Sequence, residues 1–308
     1  MATFELVPER RTLHGHFSRD LPPVLTIDSG DTVRCTTLDV GWGEQLPADA
    51  TSGVPPAGLV RDAELDAGHA LLGPIAVRGA EPGMALEIAI GALRPGAWGN
   101  TWTSHRQPWY RYLNVERYTA THWTMSADRT TATSDHGHTV RLRPFLGIMG
   151  NAPAEPGRHP TSPPRVVGGN MDCKELVNGS TLWLPVGVTG ALFSLGDGHA
   201  LQGDGEVAGT ALECPFDVAE LTFTLRPDLH LRTPRANTPA GWLTLGFGAT
   251  LDDATAIALS AMLDLLGEMH GLSRDDALAL ASLVVDLHIT QIVNGTVGVH
   301  AILPHGAL

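Results

Sequence analysis

The chain has 308 residues, 43% hydrophobic and 17% charged, with 33 acidic against 20 basic side chains and a formal net charge of −13. That length and balance suit a folded globular protein with a sizeable core and exclude a disordered chain. The acidic surplus argues against a nucleic-acid or anionic-membrane binder, since both repel a negative surface.

The opening "MATFELVPERRTL" lacks the apolar stretch of a signal peptide, and no run approaches the length needed to span a bilayer. Cys35, Cys173 and Cys214 fall in no paired spacing. This fits a reducing cytoplasm and disfavours a disulfide framework or a zinc–thiolate site. "PPVLTIDSGDTVRCTTLDV" reads as strand, turn, strand, with Val33, Cys35 and Thr37 alternating against Thr32, Arg34 and Thr36. "GPIAVRGAEPGMALEIAIGAL" repeats the pattern around Glu-Pro-Gly. Between 96 and 140 the composition changes: Trp98, Trp102, Trp109, Tyr110, Tyr112, Tyr118 and Trp123 stand among polar residues. The expectation there is a long excursion covering the core, with a pocket wall or subunit contact as the alternative. "STLWLPVGVTGALFSLGD" and "ELTFTLRPDLHLRTPRA" add strands. "LDDATAIALSAMLDLLGEMHGL" then has helical periodicity with Gly271 as its stop, and "SRDDALALASLVVDLHI" a second helix capped by Ser273. "QIVNGTVGVHAILP" closes the chain as a hairpin turning at Asn294-Gly295. The predicted class is mainly β, sandwich or barrel-like, with a C-terminal helical pair, α+β overall. One unit over 1–308 is expected: an N-terminal β part (1–95), the aromatic section (96–140), a glycine-rich β part (141–250), and the helices with the closing hairpin (251–308).

The chemistry-bearing stretch is "GGNMDCKEL" at 168–176 followed by "GALFSLGDGHALQGDGEVAGTALE" at 190–213. No serine-nucleophile elbow, phosphate-binding loop or HExxH pair is present. Cys173 is a candidate nucleophile, although a lone cysteine in such a chain is more often inert. A hydrolytic metal site accounts for more of the residues. A divalent ion needs only a few carboxylates and an imidazole, with one carboxylate left to move protons. His199 and Asp172 suit the ligand role, and Glu206 or Glu213 the general base. Asp197 and Asp204 read as turn residues in a glycine-rich double turn.

"GGNMD", "LPVGVTGALFSLGDGHALQGDGEVAGTALE", "DLHITQIVNGTVGVHAILP", "PPVLTIDSGDTVRCTTLD" and "GHALLGPIAVRGAEPG" together resemble the acetamidase/formamidase family, over about residues 14–304. The resemblance implies a soluble, β-rich, often oligomeric and metal-dependent enzyme that hydrolyses short amides to carboxylic acid and ammonia. It implies roles for Asp39, His69, Asn170, Asp172, His199, Gln202, Glu206 and Glu213. Asp39, Asp172 and His199 are the expected ligands, for zinc first and calcium or another ion otherwise. Glu206 or Glu213 would carry the proton, Asn170 and Gln202 would donate to an oxyanion, and His69 would touch substrate. The expected partners are a small amide and further copies of the chain, with no nucleic acid and no membrane. Met84 departs from the acidic residue usual in the family's turn, and the 96–140 section matches least. Two other readings compete: a non-catalytic small-ligand module, and a hydrolase of another C–N bond of urea or guanidine type.

Overall fold

The structure is a computed structural model describing residues 1–103 and 110–308. Two sheets dominate it. In the first, the strand order is Thr3–Leu6, Thr32–Cys35, Phe216–Arg226, Ala85–Pro95, Thr181–Pro185, Arg235–Thr238, Gly241–Gly248, Val297–Pro304 and Asp286–Gln291. In the second, the main path runs Thr139–Arg141, Thr131–Ser134, Ala120–Met125, Trp98–Trp102, Leu212–Glu213, Phe193–Leu201, Phe145–Gly150 and Gly168–Asn170. Leu71–Val77 branches from Phe193–Leu201 and carries Leu13–His14 and Leu25–Ile27.

Both strand–turn–strand segments foreseen near the N-terminus form, but each divides between the sheets. Leu25–Ile27 pairs in the second sheet and Thr32–Cys35 in the first; Leu71–Val77 and Ala85–Pro95 split the same way. Their turns therefore cross from one layer to the other, as at the corners of packed sheets. The inner faces meet in one core. Val33, Ile88, Leu182, Leu221 and Phe223 come from one layer, and Ile75, Leu146, Met149, Phe193 and Leu195 from the other. Phe193 and Phe223 touch edge to face across the gap, centroids 5.1 Å apart. His14 is a core histidine: it donates from Nδ1 to the His16 carbonyl (2.7 Å) and accepts at Nε2 from Ser194 (3.0 Å).

The aromatic section is not a covering excursion. Most of it extends the second sheet, with Trp98–Trp102 antiparallel to Ala120–Met125, as the strand preference of aromatic side chains favours. Trp98 is buried and donates to the Ser52 carbonyl at 3.0 Å, whereas Tyr112 and Tyr118 are exposed. His105 and Trp109 lie outside the described residues.

The helical pair forms as foreseen. The longer helix, Leu251–His270, is capped by the Thr250 hydroxyl accepting from Asp253 N–H and ends at Gly271 with φ +67°. The second, Arg274–Val284, is shorter than its periodicity suggests. "DLHI" belongs instead to the strand Asp286–Gln291, which pairs with Val297–Pro304 and so begins the closing hairpin earlier. The longer helix lies on the outer face of the first sheet, where Ala254, Ala258, Met262 and Leu266 meet Val299, Ala301 and Leu303. Gly246 sets the approach distance, because a Cβ there would lie 2.0 Å from the Ala254 carbonyl oxygen. Among the described residues, no helix is long and apolar enough to cross a membrane.

Gly246→Ala is accordingly expected to lever the helix off the sheet and cost about 1–3 kcal/mol. Chemical denaturation with a midpoint equal to wild type would show that the contact is not tight.

Candidate functional site

At the centre of the second sheet the backbone ladder skips one rung. Leu146 pairs with Gly198 and Ile148 with Gly196, while Gly147 and Asp197 between them form no recorded pair. The Gly147 carbonyl instead accepts from Met171 N–H (3.0 Å) and Asp172 N–H (3.2 Å), anchoring the loop that carries Asp172. Gly147 also leaves its inner face empty. A Cβ there would lie 2.6 Å from His199 Cε1, 2.7 Å from Asp197 Oδ2 and 2.9 Å from Asp172 Oδ1. Three site side chains therefore converge on a residue that must lack one.

His199 is the hub of the cluster and is fully buried, its ring edge-to-face with Phe145. Its Nε2 lies 3.2 Å from Glu213 Oε2 and 3.4 Å from Asp197 Oδ2. Two overlapping groups share it, Asp197–His199–Glu213 and Asp172–His199–Glu206, and within each the ligand-capable atoms lie within 4.8 Å of one another. Asp172, Asp197 and Glu206 all adopt left-handed backbone, with φ of +50°, +57° and +46°. For non-glycine residues this costs about 1–3 kcal/mol each and is a recurrent mark of functional sites. Asp197 is thus no turn residue, as its Gly-Asp-Gly context suggests, but lies inside the strand Phe193–Leu201 and points into the cluster.

Four carboxyls around one imidazole cannot all be charged when buried. Burial, reinforced by neighbouring Asp197 and Glu213, pushes Asp172 up to about 7. Burial raises Glu213, and burial together with Asp172 raises Glu206 well above the usual range. Burial also opposes charge on His199, but Glu213 and Asp197 overcome it and hold the ring well above its ordinary value. Ten buried side-chain N or O atoms among the described residues lack a hydrogen bond. Seven of them belong to Asn170, Asp172, Asp197, His199, Gln202 and Glu213, so the deficit is concentrated here. An imidazole and several carboxylates with unsatisfied atoms are a donor set that fits a divalent cation.

The foreseen residues separate in space. Asp172, His199, Glu206 and Glu213 meet. Gln202 reaches the same place but donates its amide to the Asp172 carbonyl (2.8 Å), so that N–H is not free for an oxyanion. Asn170 is buried beside them with its carbonyl oxygen unpartnered. His69 is half-buried, its Nδ1 2.5 Å from the Thr161 hydroxyl, and burial lowers its pKa. Asp39 belongs to none of the acid–imidazole groups found among the described residues. Its carboxylate accepts from Gly41 N–H (3.1 Å) and Gly43 N–H (2.6 Å), closing a turn. Cys173 is fully buried, and burial pushes its thiol up to about 12, which leaves no thiolate near neutral pH.

Asn294 was foreseen only as a turn residue. The closing hairpin brings it across 122 positions to donate from Nδ2 to Asp172 Oδ2 at 2.6 Å. Gln291 holds that turn, accepting from Val293 and Asn294 N–H and donating to the Thr296 carbonyl. A further group, Asp204–His288–His300, lies outside the cluster. Lys174 already pairs with Asp204 at 2.8 Å, and the two imidazoles stack nearly parallel, so one ion could not lie in both ring planes. Asp204 thus serves a structural ion-pair network, close to its reading as a turn residue.

A profile of the acetamidase/formamidase family matches residues 3–159 and 154–238. The chain is similar to a formamidase of Methylophilus methylotrophus, 28% identical over 249 residues that cover 63% of this chain and 59% of that one. It is similar to an acetamidase of Mycolicibacterium smegmatis, 29% identical over 254 residues that cover 63% and 61%. The matched region thus spans about 60% of the length of these curated relatives. A crystal structure of acetamidase from Bacillus halodurans superposes with a TM-score of 0.84 over 97% of both chains at 26% identity.

Asn294→Ala is expected to leave the buried Asp172 Oδ2 without its amide donor and to cost about 1–3 kcal/mol of stability. Asn294→Asp, setting a second carboxylate against Asp172, should cost more. Chemical denaturation checks both, and midpoints equal to wild type would remove Asn294 from the site.

Proposed function

The chain belongs to the acetamidase/formamidase family, and we propose that it is an amidase that hydrolyses a carboxamide to carboxylic acid and ammonia. The observation that carries this reading is the buried cluster around Gly147, where two acid pairs share the imidazole of His199. A ligand-binding module has no need of four carboxyl groups in this arrangement, nor of strained backbone at three of them.

The residues divide by position. Asp197, His199 and Glu213 would hold a divalent ion, with zinc the first choice for one imidazole and carboxylates. When bound, such an ion lowers the pKa of water and polarises a carbonyl. Glu206 is both within reach of His199 and Asp172 and on the wall of a cleft, so it is our choice for the proton carrier. In its ionised form it takes a proton from the attacking water as oxygen bonds to the carbonyl carbon, and then, as the acid so formed, delivers it to the nitrogen as the C–N bond breaks. Asp172, held by Asn294 and the Gly147 carbonyl, keeps Glu206 in place. The balance is amide plus water to acid plus ammonia, with no oxidant or second substrate. The burial of the cluster favours electrostatic stabilisation of the oxygen that becomes negative.

We also propose that the protein is a homo-oligomer. The outer edge of Asp286–Gln291 is bridged by Gly205 at its Thr290–Gln291 end, while Leu287 and Ile289 toward its other end, with Leu283 before it, are exposed. Sedimentation of wild type and Ile289→Lys should give an oligomer and a smaller species; a wild-type monomer would discard the proposal.

Ammonia release from formamide, acetamide, benzamide and urea, before and after exhaustive chelation, tests the main reading. Activity should disappear on chelation and return with zinc. Glu206→Gln should lower kcat by about 10²–10⁴-fold while zinc stays bound. Full activity in the chelated protein would take the ion out of the reaction, and full activity in Glu206→Gln would move the proton role to Glu213.

A further inference from the structure

We propose that the acyl part of the substrate is an apolar arm, longer than the single methyl of acetamide, held between Trp123, Val140, Leu201, Val207 and Leu212. The inference rests on the amidase reading and adds the class of amide. These side chains line a cleft of about 230 Å³ whose wall also includes Gln202 and Glu206. The cleft therefore begins at two residues of the cluster and leads away from it. Measured against the roughly 30 Å³ that a water molecule occupies in the liquid, it holds about seven heavy atoms. Formamide and acetamide would leave nearly all of that space unfilled.

The lining is mostly apolar, with Thr101, Asp204 and Thr210 the polar residues beside Gln202 and Glu206. Trp123, Val140 and Leu201 pack on the main core from its rim, and Leu212 is buried within it. Val207 follows Glu206 directly and lines the same wall, so an acyl chain laid along that wall would bury apolar surface of its own and of the lining. The same strand pair explains how the wall is built: Leu201 lies opposite Leu212, and Gly99 opposite Trp123, across neighbouring ladders of the second sheet. With Glu206 at the mouth, an amide whose C–N bond reaches the cluster would direct its acyl chain along this wall and no charged group would meet it there; Asp204, which also borders the cleft, is already paired with Lys174.

The test is a homologous series from formamide to hexanamide, offered to zinc-loaded protein, with binding followed by calorimetry and turnover by ammonia release. Affinity and kcat/KM should each rise about fourfold per added methylene until the cleft is full. Val207→Trp, with retained folding checked by the thermal midpoint, should fill the cleft and lower the hexanamide-to-acetamide ratio of kcat/KM about tenfold. Equal binding along the series, or a ratio unchanged in Val207→Trp, overturns the assignment. Graded binding with no ammonia from any member keeps the cleft as the site of the arm and overturns the hydrolytic reading instead.

Discussion

Everything around this site answers one constraint: four carboxyl groups and one imidazole share a volume from which water is excluded. Removing a single carboxylate from water costs several kcal/mol after relaxation, and placing like charges together adds to it. The protein meets this by letting burial raise Asp172, Glu206 and Glu213 toward their neutral forms, while Asp197 stays charged against His199. A cation held among them would take the place of those protons. Either way the cluster stores electrostatic tension that only a stiff surround can hold in one geometry, which is what preorganisation requires.

The stiffness comes from both sheets. His199 and Asp197 sit on the central strand of the second sheet, with Phe145–Gly150 on one side and Leu212–Glu213 on the other. Gly147 lets three side chains approach and turns its carbonyl toward Asp172 in the same stroke. The first sheet contributes from its far edge. Its closing hairpin supplies Asn294 to Asp172, and Gly205 N–H donates to the Thr290 carbonyl while its own carbonyl accepts from Ile292. The segment 202–206, with Gln202 and Glu206 at its ends, is thereby fixed by an element almost ninety positions away in the chain. Asp204, in the middle of that segment, adds an ion pair to Lys174 and a hydrogen bond to His288.

Much of this could be read without coordinates. Alternation of apolar residues predicts the strands because one face of each meets the shared core, and the two helices announce themselves by their periodicity, a stop at Gly271 and a cap at Ser273. Asp172, His199, Glu206 and Glu213 stand out because carboxylates and histidine set among glycines have little use in an ordinary strand. Asp197 is equally close to His199 in sequence, yet Gly-Asp-Gly looks like turn chemistry. Only the skipped rung opposite Gly147 shows that this glycine-rich run is a strand with a kink that aims Asp197 inward. Asp39 illustrates the reverse case: a buried acid beyond the end of the strand Thr32–Cys35, whose carboxylate accepts from two N–H groups of its own turn.

What the sequence by itself determined is the β-rich class, the helical pair, the family resemblance and the chemical types available to the site. Those follow from local periodicity, capping and residue identity, which short windows of chain contain. Tertiary structure alone decided which acids share His199, that Asn294 and Gly147 order Asp172, that the two early strand pairs divide between layers, and that an apolar cleft leads away from Glu206. Each of these depends on contacts between residues far apart in the chain, and the closure of two sheets over one core sets such distances while no local pattern encodes them.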